Sequence, residues 1–524
     1  MPRLPLLLAL LLVAAGCVGT PEERPLSSSI AWSPCPGQAV LECGRVEADR
    51  IAGDAESGSI SIAVARLPAT DPGRRIGSLL LHFGGPGSSG IELLSIVGRS
   101  IVPDEIAARF DLVAFDQRGV GKTVPVDCLD DALLDVYVSE EIPPRDPGSV
   151  DLAKAWASAQ AFATACAARS GPEQLADVST LATVADLEAI RVAVGDRRLN
   201  YLGFSYGGML GALYADRYPE LVRAMVLDGA VEPGISFASR LAEQAIAFEV
   251  GLARFLVDCD RRPACPFAAD PEIGASDAFD ALMARLRETP IVLSDGRLLN
   301  EGMALSGVMA GLYARETWGT IAAGLARADE GDGTILASLA DSYVGRAEDG
   351  SYENNSVEAN TAINCVDYAA ERDPAAYDRL VAETRVSAPR FASLLAYSGL
   401  TCAAWPVAAN PAAGSVERGH RRSSSLGRPV IRPPPLAGRS ASPISSSRDS
   451  SSPTGVPATP RSGPVIRVST RRSPRISSIS TCRGRGRSAD GWLSRCHSDA
   501  RRRSRGGSSH RRPHLRRRHL SRGR

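Results

Sequence analysis

The residue with the clearest chemical potential in this chain is Ser205, which lies at the centre of a G-x-S-x-G pentapeptide at 203–207. The sequence predicts a short apolar strand before it, at 199–202, and a helix after it, at 209–218. In a tight strand-to-helix turn, a Cβ two residues on either side of the serine would clash, so these two positions require glycine. Such a turn would present the Ser205 hydroxyl above the end of the strand as a nucleophile toward a carbonyl carbon.

A serine nucleophile needs hydrogen-bond donors for the negative charge that develops on the carbonyl oxygen. One expected donor is the backbone N–H of Tyr206, and the other is that of Gly84 or Gly85 in the glycine-rich loop at 84–90. Glycine in this loop would let the backbone approach the substrate closely. The alternative is an ordinary turn, because Gly-Gly-Pro-Gly is also common turn chemistry.

The elements that must position these groups alternate between strand and helix. Further apolar strands are predicted at 78–83, 111–115 and 224–227, and each leads into a turn that contains glycine. This alternation predicts an α/β fold with a mainly parallel sheet, in which ligands bind at the carboxyl ends of the strands. Asp116 and Arg118, which follow the second of these strands, are expected to tie loops together rather than to take part in chemistry.

Four motifs in a fixed order carry a family resemblance: His82-Phe-Gly-Gly-Pro-Gly, Asp116-Gln-Arg-Gly, Gly-Phe-Ser205-Tyr-Gly-Gly and Leu-Asp228-Gly. Together they resemble the α/β-hydrolase fold and, within it, the secreted tripeptidyl and prolyl aminopeptidases of actinobacterial type, over about residues 30–410. The resemblance implies a sheet with helices on both faces. It also implies a serine exopeptidase that releases short peptides from free N-termini.

The sequence does not identify the residues that would serve as the base and the acid of a catalytic triad. In this fold the order along the chain is serine, acid, histidine, so His82, which precedes Ser205, is expected to be structural or adjacent to the substrate. Asp228 is a possible acid, with capping of its strand as the alternative. His420 follows a glycine, as the family's histidine does, but no predicted strand precedes it. The base is therefore unknown.

The N-terminus, at 1–20, is typical of an export signal. Arg3 is followed by an apolar run at 4–15, which is too short to span a bilayer. The small residues before Cys17 resemble a bacterial lipobox, although Ala14 stands where leucine is usual. Cys17 is thus the expected site of lipidation, which would anchor the protein to the outer face of the membrane. The alternative is free secretion, and both place the protein outside the cytoplasm.

Cysteine usage also indicates an exported protein. Of the 11 cysteines, eight lie between Cys35 and Cys402, and an even set in an exported chain suggests disulfides. The expected pairs are neighbours in sequence: 35 with 43, 128 with 166, 259 with 265, and 365 with 402. No metal site is expected, because no C-x-x-C occurs and histidine is almost absent outside the last hundred residues. No cofactor is expected either.

Amphipathic segments replace the strand signals after the fourth strand, at 241–257, 277–287 and 318–328. They predict a helical cap at 234–390, between a core segment at 21–233 and the start of a return to the core at 391–417. The cap would roof the site and limit substrate length, with extra helical packing as the alternative. A carboxylate there could hold the α-ammonium group of a peptide. The candidates are Glu232, Glu243, Glu249 and Asp367.

The composition changes abruptly at 418–524. This segment has 27 arginines, no lysine and three aspartates, a net charge of +24, so the overall +1 conceals a body of −23. Trp492 is its one aromatic residue, so it cannot build a core and is expected to be disordered. It also holds five of the six histidines.

Two hypotheses explain this change in composition. One hypothesis is loss of the coding frame near 407–418, which would remove the closing strands, the acid and the base. The other is a genuine basic tail that binds anionic polymers or nucleic acid.

The sequence therefore predicts a serine hydrolase. The leading function is an exported aminopeptidase whose partner is a peptide with a free N-terminus. An esterase on the same scaffold is the first alternative, and a catalytically inactive lipoprotein of α/β-hydrolase type, supported by the missing histidine, is the second. No nucleic acid is expected to bind the folded body.

Overall fold

The structure is a computed structural model that describes residues 30–139, 151–262, 264–267, 273–411 and 466–469. Within these ranges, eight strands form a central sheet and two more form a short hairpin. The strands are β1 (Ser33–Cys35), β2 (Gln38–Ile51), β3 (Asp54–Leu67), β4 (Gly77–His82), β5 (Phe110–Phe115), β6 (Leu199–Phe204), β7 (Val222–Asp228), β8 (Ile291–Val292), β9 (Leu298–Leu299) and β10 (Ile466–Ser469).

The central sheet has the order β1-β2-β3-β5-β4-β6-β7-β10. Strands β1, β2, β3 and β5 pair antiparallel with their neighbours in that order, whereas β5, β4, β6, β7 and β10 form a parallel series. The α/β fold and the four predicted strands, which are β4 to β7, are confirmed. The carboxyl ends of parallel neighbours meet at one edge of a sheet, so β4, β5, β6 and β7 bring their following loops together.

Helices alternate with the strands of the sheet from β4 onward and continue after β7. They are α1 (Gly90–Val97), α2 (Asp104–Ala107), α3 (Asp131–Val138), α4 (Asp151–Arg169), α5 (Pro172–Asp177), α6 (Thr180–Ala193), α7 (Tyr206–Arg217), α8 (Phe237–Asp260), α9 (Ala275–Glu288), α10 (Glu301–Leu312), α11 (Trp318–Asp329), α12 (Thr334–Val344), α13 (Ser356–Asp367), α14 (Ala375–Thr384), α15 (Ala392–Tyr397) and α16 (Leu400–Ala403). The predicted helix after Ser205 is α7, and the three amphipathic segments are α8, α9 and α11.

The helical region after β7 has a hydrophobic core of its own. On α8, Ala245, Leu252, Leu256 and Cys259 recur at helical spacing and are all buried. Much of α8 to α12 packs into a cluster separate from the one around the sheet. Helices α13 and α16 instead pack on the sheet's cluster, through residues such as Ile363. The chain therefore returns to the main core with α13.

Four disulfides are present, and they join the predicted pairs: Cys35–Cys43, Cys128–Cys166, Cys259–Cys265 and Cys365–Cys402. The last links α13 to α16, and the second links α4 to the loop before α3. Their pairing confirms the prediction made from cysteine spacing. Each of the four closes a loop and so reduces the conformational entropy of the unfolded chain.

The predicted signal segment with Cys17 lies outside the described residues. So does the basic tail at 418–524, apart from β10. The structure differs from the prediction at these four residues, because β10 pairs in parallel with β7, in register with Met225–Asp228. No helix among the described residues has the length and apolar character needed to cross a membrane.

Candidate active site

Ser205 occupies a strained turn between β6 and α7. Its backbone has φ 53° and ψ −118°, a positive φ that L-residues rarely adopt. Two backbone hydrogen bonds hold it there: the Ser205 N–H donates to the Asp228 carbonyl oxygen at 2.8 Å, and the Gly208 N–H donates to the Ser205 carbonyl oxygen at 2.8 Å. The Ser205 side chain is exposed. This geometry matches the nucleophile turn predicted from the pentapeptide.

The glycines of the pentapeptide are required by close backbone contacts. A Cβ on Gly203 would lie 2.3 Å from the Gly207 carbonyl oxygen. A Cβ on Gly207 would lie 2.5 Å from the carbonyl oxygen of His82, at the end of β4. Both distances are far shorter than a van der Waals contact with a rigid backbone atom allows. The turn therefore packs directly against the neighbouring strand, as the glycine pattern predicts.

The glycine-rich loop after β4 lies against the nucleophile. Gly84 has φ +105°, and a Cβ there would lie 2.9 Å from the Phe204 carbonyl oxygen and 3.1 Å from the Ser205 Cβ. The Gly84 N–H, however, donates to His82 Nδ1 at 3.2 Å. Among the described residues, no hydrogen bond takes up the N–H of Gly85 or of Tyr206, the first residue of α7. Of the three predicted oxyanion donors, these two stay available.

His82 is buried and has both ring nitrogens engaged. Its Nδ1 accepts from Gly84, and its Nε2 lies 2.8 Å from Gln117 Oε1, to which it donates. Burial lowers the pKa of His82 to about 4, so the ring is neutral near neutral pH. A ring bonded in this way cannot accept a proton from Ser205. The structure thus agrees with the expectation that His82 is structural.

The two charged residues after β5 tie loops together, as expected. Asp116 accepts from the Ser89 hydroxyl at 2.7 Å and from the Lys122 N–H at 2.9 Å. Arg118 forms a fully buried bidentate pair with Asp186 of α6, with both N···O distances at 2.7 Å. Neither group faces the Ser205 hydroxyl with a free polar atom.

The acid and the base remain predictions. Asp228 ends β7, beside the strand that leads into Ser205, and is half-buried. Its backbone carbonyl oxygen accepts the Ser205 N–H at 2.8 Å. His82 is the sole histidine of the described ranges. His420 lies outside them, as do the other histidines of the tail. The described residues therefore bring the predicted nucleophile, Ser205, close to the loop of the predicted oxyanion donors, and they include no histidine placed to act as its base.

The four carboxylates proposed for an α-ammonium group lie in different environments. Glu232 and Glu243 are exposed, and Glu249 is buried in an ion pair with Arg390 at 2.7 Å. Asp367 is buried, and its two oxygens accept the N–H and the hydroxyl of Thr180. Burial raises the pKa of Asp367 to about 7.

A cavity of about 280 Å³ is lined by one of these carboxylates, Asp367. It is bounded by Met209 of α7, the segment 233–237 that leads into α8, the segment 367–369, and Pro411. The cavity is therefore built from the helix that begins at the nucleophile turn and from both ends of the helical insertion. In the sequence, Glu232 directly precedes Pro233, which is one of the residues that line the cavity.

The prediction from sequence missed two residues that support the site, Gln117 and Thr180. Gln117 bridges His82 and Tyr206, whereas Thr180 bonds to Tyr206 and Asp367. Gln117 lies in the Asp-Gln-Arg-Gly motif, so the sequence carried a signal that could have identified it. Thr180 begins a helix 25 residues before Ser205 and carries no local signal of its contacts.

Comparisons with known proteins agree with this geometry. The family model described as the alpha/beta hydrolase fold matches residues 77–377. The serine protease Hip1 of Mycobacterium tuberculosis is 35% identical over 435 residues, which cover 76% of this chain and 80% of that protein. Carboxylesterase B of the same organism is 34% identical over 357 residues, covering 66% and 67%. The tripeptidyl aminopeptidase of Streptomyces lividans is 28% identical over 394 residues, covering 73% and 72%. The chain belongs to the α/β-hydrolase family, among its serine hydrolases and peptidases.

Proposed function

We propose that this chain is built as an exported serine aminopeptidase that releases short peptides, of tripeptidyl or prolyl type, from free N-termini. The observation that carries the proposal is the turn at Ser205, which holds an exposed hydroxyl in a strained conformation directly against the Gly84 loop. Strain of this kind persists where the surroundings enforce it, and it is common at catalytic sites. The relatives named as a serine protease and an aminopeptidase support the same class of reaction.

In the proposed reaction, Ser205 Oγ attacks the carbonyl carbon of the scissile peptide bond. The backbone N–H groups of Gly85 and Tyr206 bind the oxygen that becomes negative, and each such donor contributes a factor of about 10² to 10³ in rate. The acyl-enzyme forms when the amine leaves, and water then releases the short N-terminal peptide. The proton of the serine must pass to a base, and the described body offers none. We therefore place the base beyond Pro411, with Asp228 as the acid that orients it.

The free N-terminus of the substrate would be held by a carboxylate at the cavity beside α7. Glu232 is the candidate we favour, because it is exposed and directly precedes the cavity lining. Glu249 is committed to Arg390, and both oxygens of Asp367 are committed to Thr180. An ammonium group bonded to a carboxylate in a partly enclosed cleft is among the stronger polar interactions in proteins.

The test compares tripeptidyl p-nitroanilides that have a free or an acetylated N-terminus. The proposal predicts cleavage of the free-amine substrate, loss of that cleavage in Ser205→Ala, and a raised KM in Glu232→Gln. Glu243→Gln is the matched control, because that carboxylate is also exposed but neither lines the cavity nor adjoins a lining residue in the sequence. Equal turnover of both peptides, or an unchanged KM in Glu232→Gln, would contradict the assignment of the ammonium site.

An esterase is the second candidate, favoured by the relative named carboxylesterase B. An esterase would hydrolyse p-nitrophenyl acyl esters without a free amine and would leave the tripeptidyl anilides intact. An inactive lipoprotein would hydrolyse neither. Measuring both substrate types on one preparation, with Ser205→Ala as the blank, separates the three outcomes.

We further propose that the mature protein is anchored to the outer face of the membrane by a lipid on Cys17. The small residues before that cysteine and the apolar run before them support this proposal. Metabolic labelling with a fatty acid should mark the wild type and not Cys17→Ala. Labelling that persists in Cys17→Ala would contradict it.

A further inference from the structure

A continuous chain of buried hydrogen bonds runs beneath the nucleophile turn. It begins at the Gly84 N–H, which donates to His82 Nδ1 at 3.2 Å, and continues from His82 Nε2 to Gln117 Oε1 at 2.8 Å. From Gln117 Nε2 it passes to the Tyr206 hydroxyl at 3.4 Å. All four residues lie at the carboxyl ends of β4, β5 and β6, around Ser205.

Thr180 at the start of α6 completes the chain. Its hydroxyl lies 2.5 Å from the Tyr206 hydroxyl and also donates to Asp367 Oδ2. Its backbone N–H donates to Asp367 Oδ1 at 2.8 Å. Asp367, the last residue of α13, is separated from Thr180 by 187 positions in the sequence. The chain thus joins the loop beside the nucleophile to a carboxylate that follows the helical insertion.

The Gly84 backbone amide sets the direction of the bonds at one end of this chain, and Asp367 sets it at the other. The Gly84 N–H can only donate, so His82 Nδ1 is an acceptor and the neutral ring carries its proton on Nε2. Gln117 therefore turns its carbonyl oxygen to His82 and its NH₂ to the Tyr206 oxygen. The Tyr206 proton then points to Thr180, whose own proton points to Asp367. All donors point away from the oxyanion loop and toward the carboxylate.

A carboxylate is the group that suits the far end of such a chain. Above pH 7 Asp367 is ionised in the folded protein and only accepts, and its two oxygens take the two donors of Thr180. A neutral amide in its place would turn its oxygen to the Thr180 N–H and its NH₂ group to the Thr180 hydroxyl. The hydrogen bonds donated by the Thr180 and Tyr206 hydroxyls would then reverse their direction. The reversal would pass through Gln117 and leave two donors facing each other between His82 and Gly84. A buried donor without an acceptor costs about 1 to 3 kcal/mol.

We propose that Asp367 is a positioning residue for the oxyanion hole, acting through Thr180, Tyr206, Gln117 and His82 on the loop at Gly84. The proposal rests on the function proposed above, in which the N–H groups of Gly85 and Tyr206 bind the oxyanion. Gly84 precedes one of these donors, and Tyr206 carries the other on its own backbone. One carboxylate therefore determines the orientation of the groups that hold both donors.

The test reads the tautomer of His82 by ¹⁵N NMR on protein labelled at histidine, in the full chain. The six histidines are few enough to resolve, and His82→Gln identifies the His82 signals by their loss. At pH 8, where Asp367 is ionised, the wild type should show a protonated Nε2 and a bare Nδ1. In Asp367→Asn, a fraction of His82 should carry its proton on Nδ1 instead. Glu249→Gln, which neutralises another buried carboxylate, is the matched control and should leave the tautomer unchanged.

Thr180 provides a second pair of variants in case Asp367→Asn fails to fold. Thr180→Val removes the hydroxyl that links Tyr206 to Asp367. It should therefore also increase the fraction of His82 that carries its proton on Nδ1. Thr180→Ser keeps that hydroxyl and should restore the wild-type spectrum. An unchanged His82 tautomer in folded Asp367→Asn or Thr180→Val would overturn the proposal, because packing around Asp367 would then account for its burial.

The reactivity of Ser205 toward a fluorophosphonate is measured on the same variants. Asp367→Asn should slow phosphonylation about tenfold or more, a part of the loss expected when a whole oxyanion donor is removed. Glu249→Gln should leave that rate unchanged. If wild-type Ser205 does not react at all, the proposed function fails, whereas the tautomer still reports on the hydrogen-bond chain. A changed tautomer with unchanged Ser205 reactivity would refute the positioning role.

Discussion

Asp367→Asn is expected to change how the stability of the protein depends on pH. Burial raises the pKa of Asp367 from 3.8 to about 7 in the folded state. Between these two values, the folded protein keeps a proton that the unfolded chain has released. The free energy of unfolding therefore falls as pH rises through this window, and it levels off above pH 7. Asparagine does not titrate, so the variant lacks this contribution.

The expected magnitude follows from the size of the pKa shift. Each pH unit within the window costs the wild type about 1.4 kcal/mol of stability. Between pH 5 and pH 8, the free energy of unfolding of Asp367→Asn should thus rise relative to that of the wild type by about 3 kcal/mol. The charged and titratable groups that face Asp367 are Arg240 of α8, Tyr206 of α7 and the adjacent Tyr368. Burial raises the pKa of both tyrosines further, so neither tyrosine titrates in this window.

The assay is urea unfolding of both proteins at half-unit steps from pH 5 to pH 8, followed by tryptophan fluorescence. Trp405 is fully buried in the sheet's core and should report loss of tertiary structure. The difference between the two unfolding free energies matters, because contributions common to both proteins cancel in it. A difference that stays level across the range would refute the reasoning, since Asp367 would then ionise in the folded state as readily as in the unfolded one.

Three further predictions concern the frame around the site. Gly207→Ala should abolish Ser205 reactivity or folding, because its Cβ would lie 2.5 Å from the His82 carbonyl oxygen. Gly319→Ala is the control and should leave both intact, because a Cβ at Gly319 has no atom within 4 Å. Rates of reaction at Ser205 and circular dichroism spectra test both variants. Arg118→Met should lower stability in urea by about 3 to 5 kcal/mol, because its fully buried carboxylate partner loses its counter-charge, and a loss under 1 kcal/mol would contradict the importance of the pair. Selective loss of the 365–402 disulfide, which spans 37 positions, should cost about 4 kcal/mol by loop-closure entropy, measured as a lower midpoint of urea unfolding.

The strands and the nucleophile turn could be predicted from the sequence because their signals are local. β4, β5, β6 and β7 are short apolar runs followed by turns that contain glycine, and each was expected within two residues of its observed bounds. Gly203 is required by a contact inside the turn, and Gly207 by the close approach of the neighbouring strand at His82. The disulfides were predictable because each joins neighbouring cysteines of an exported chain.

The hydrogen-bond partners of the site could not be predicted, because they depend on which elements meet in the fold. The pattern around Gly84 does not reveal that His82 takes up its N–H. The contact of Thr180 with Asp367 joins residues 187 positions apart. Asp367 was therefore expected as a contact for the substrate's ammonium group, and its two bonds to Thr180 became apparent only in the folded arrangement.

The base is the part of the site that neither the motifs nor the described residues supply. Histidine is concentrated in the basic segment at 418–524, where the composition changes abruptly. Sequencing the gene across codons 395–430 would show whether another frame restores a strand with an aspartate and a later Gly-His pair. Such a frame would support the hypothesis of a lost coding frame, whereas a sound frame would leave the tail as part of the protein.

The most direct test of Ser205 as the nucleophile is to map where a fluorophosphonate reacts with the full chain, by mass spectrometry of its tryptic peptides. The serine-rich tail supplies many other serines for comparison on the same molecule. An oxyanion hole and substrate binding retain a factor of about 10³ to 10⁴ over water even without a complete triad. We therefore predict preferential modification of Ser205, lost in Ser205→Ala. Modification spread evenly over the serines, or absent from Ser205, would contradict the account.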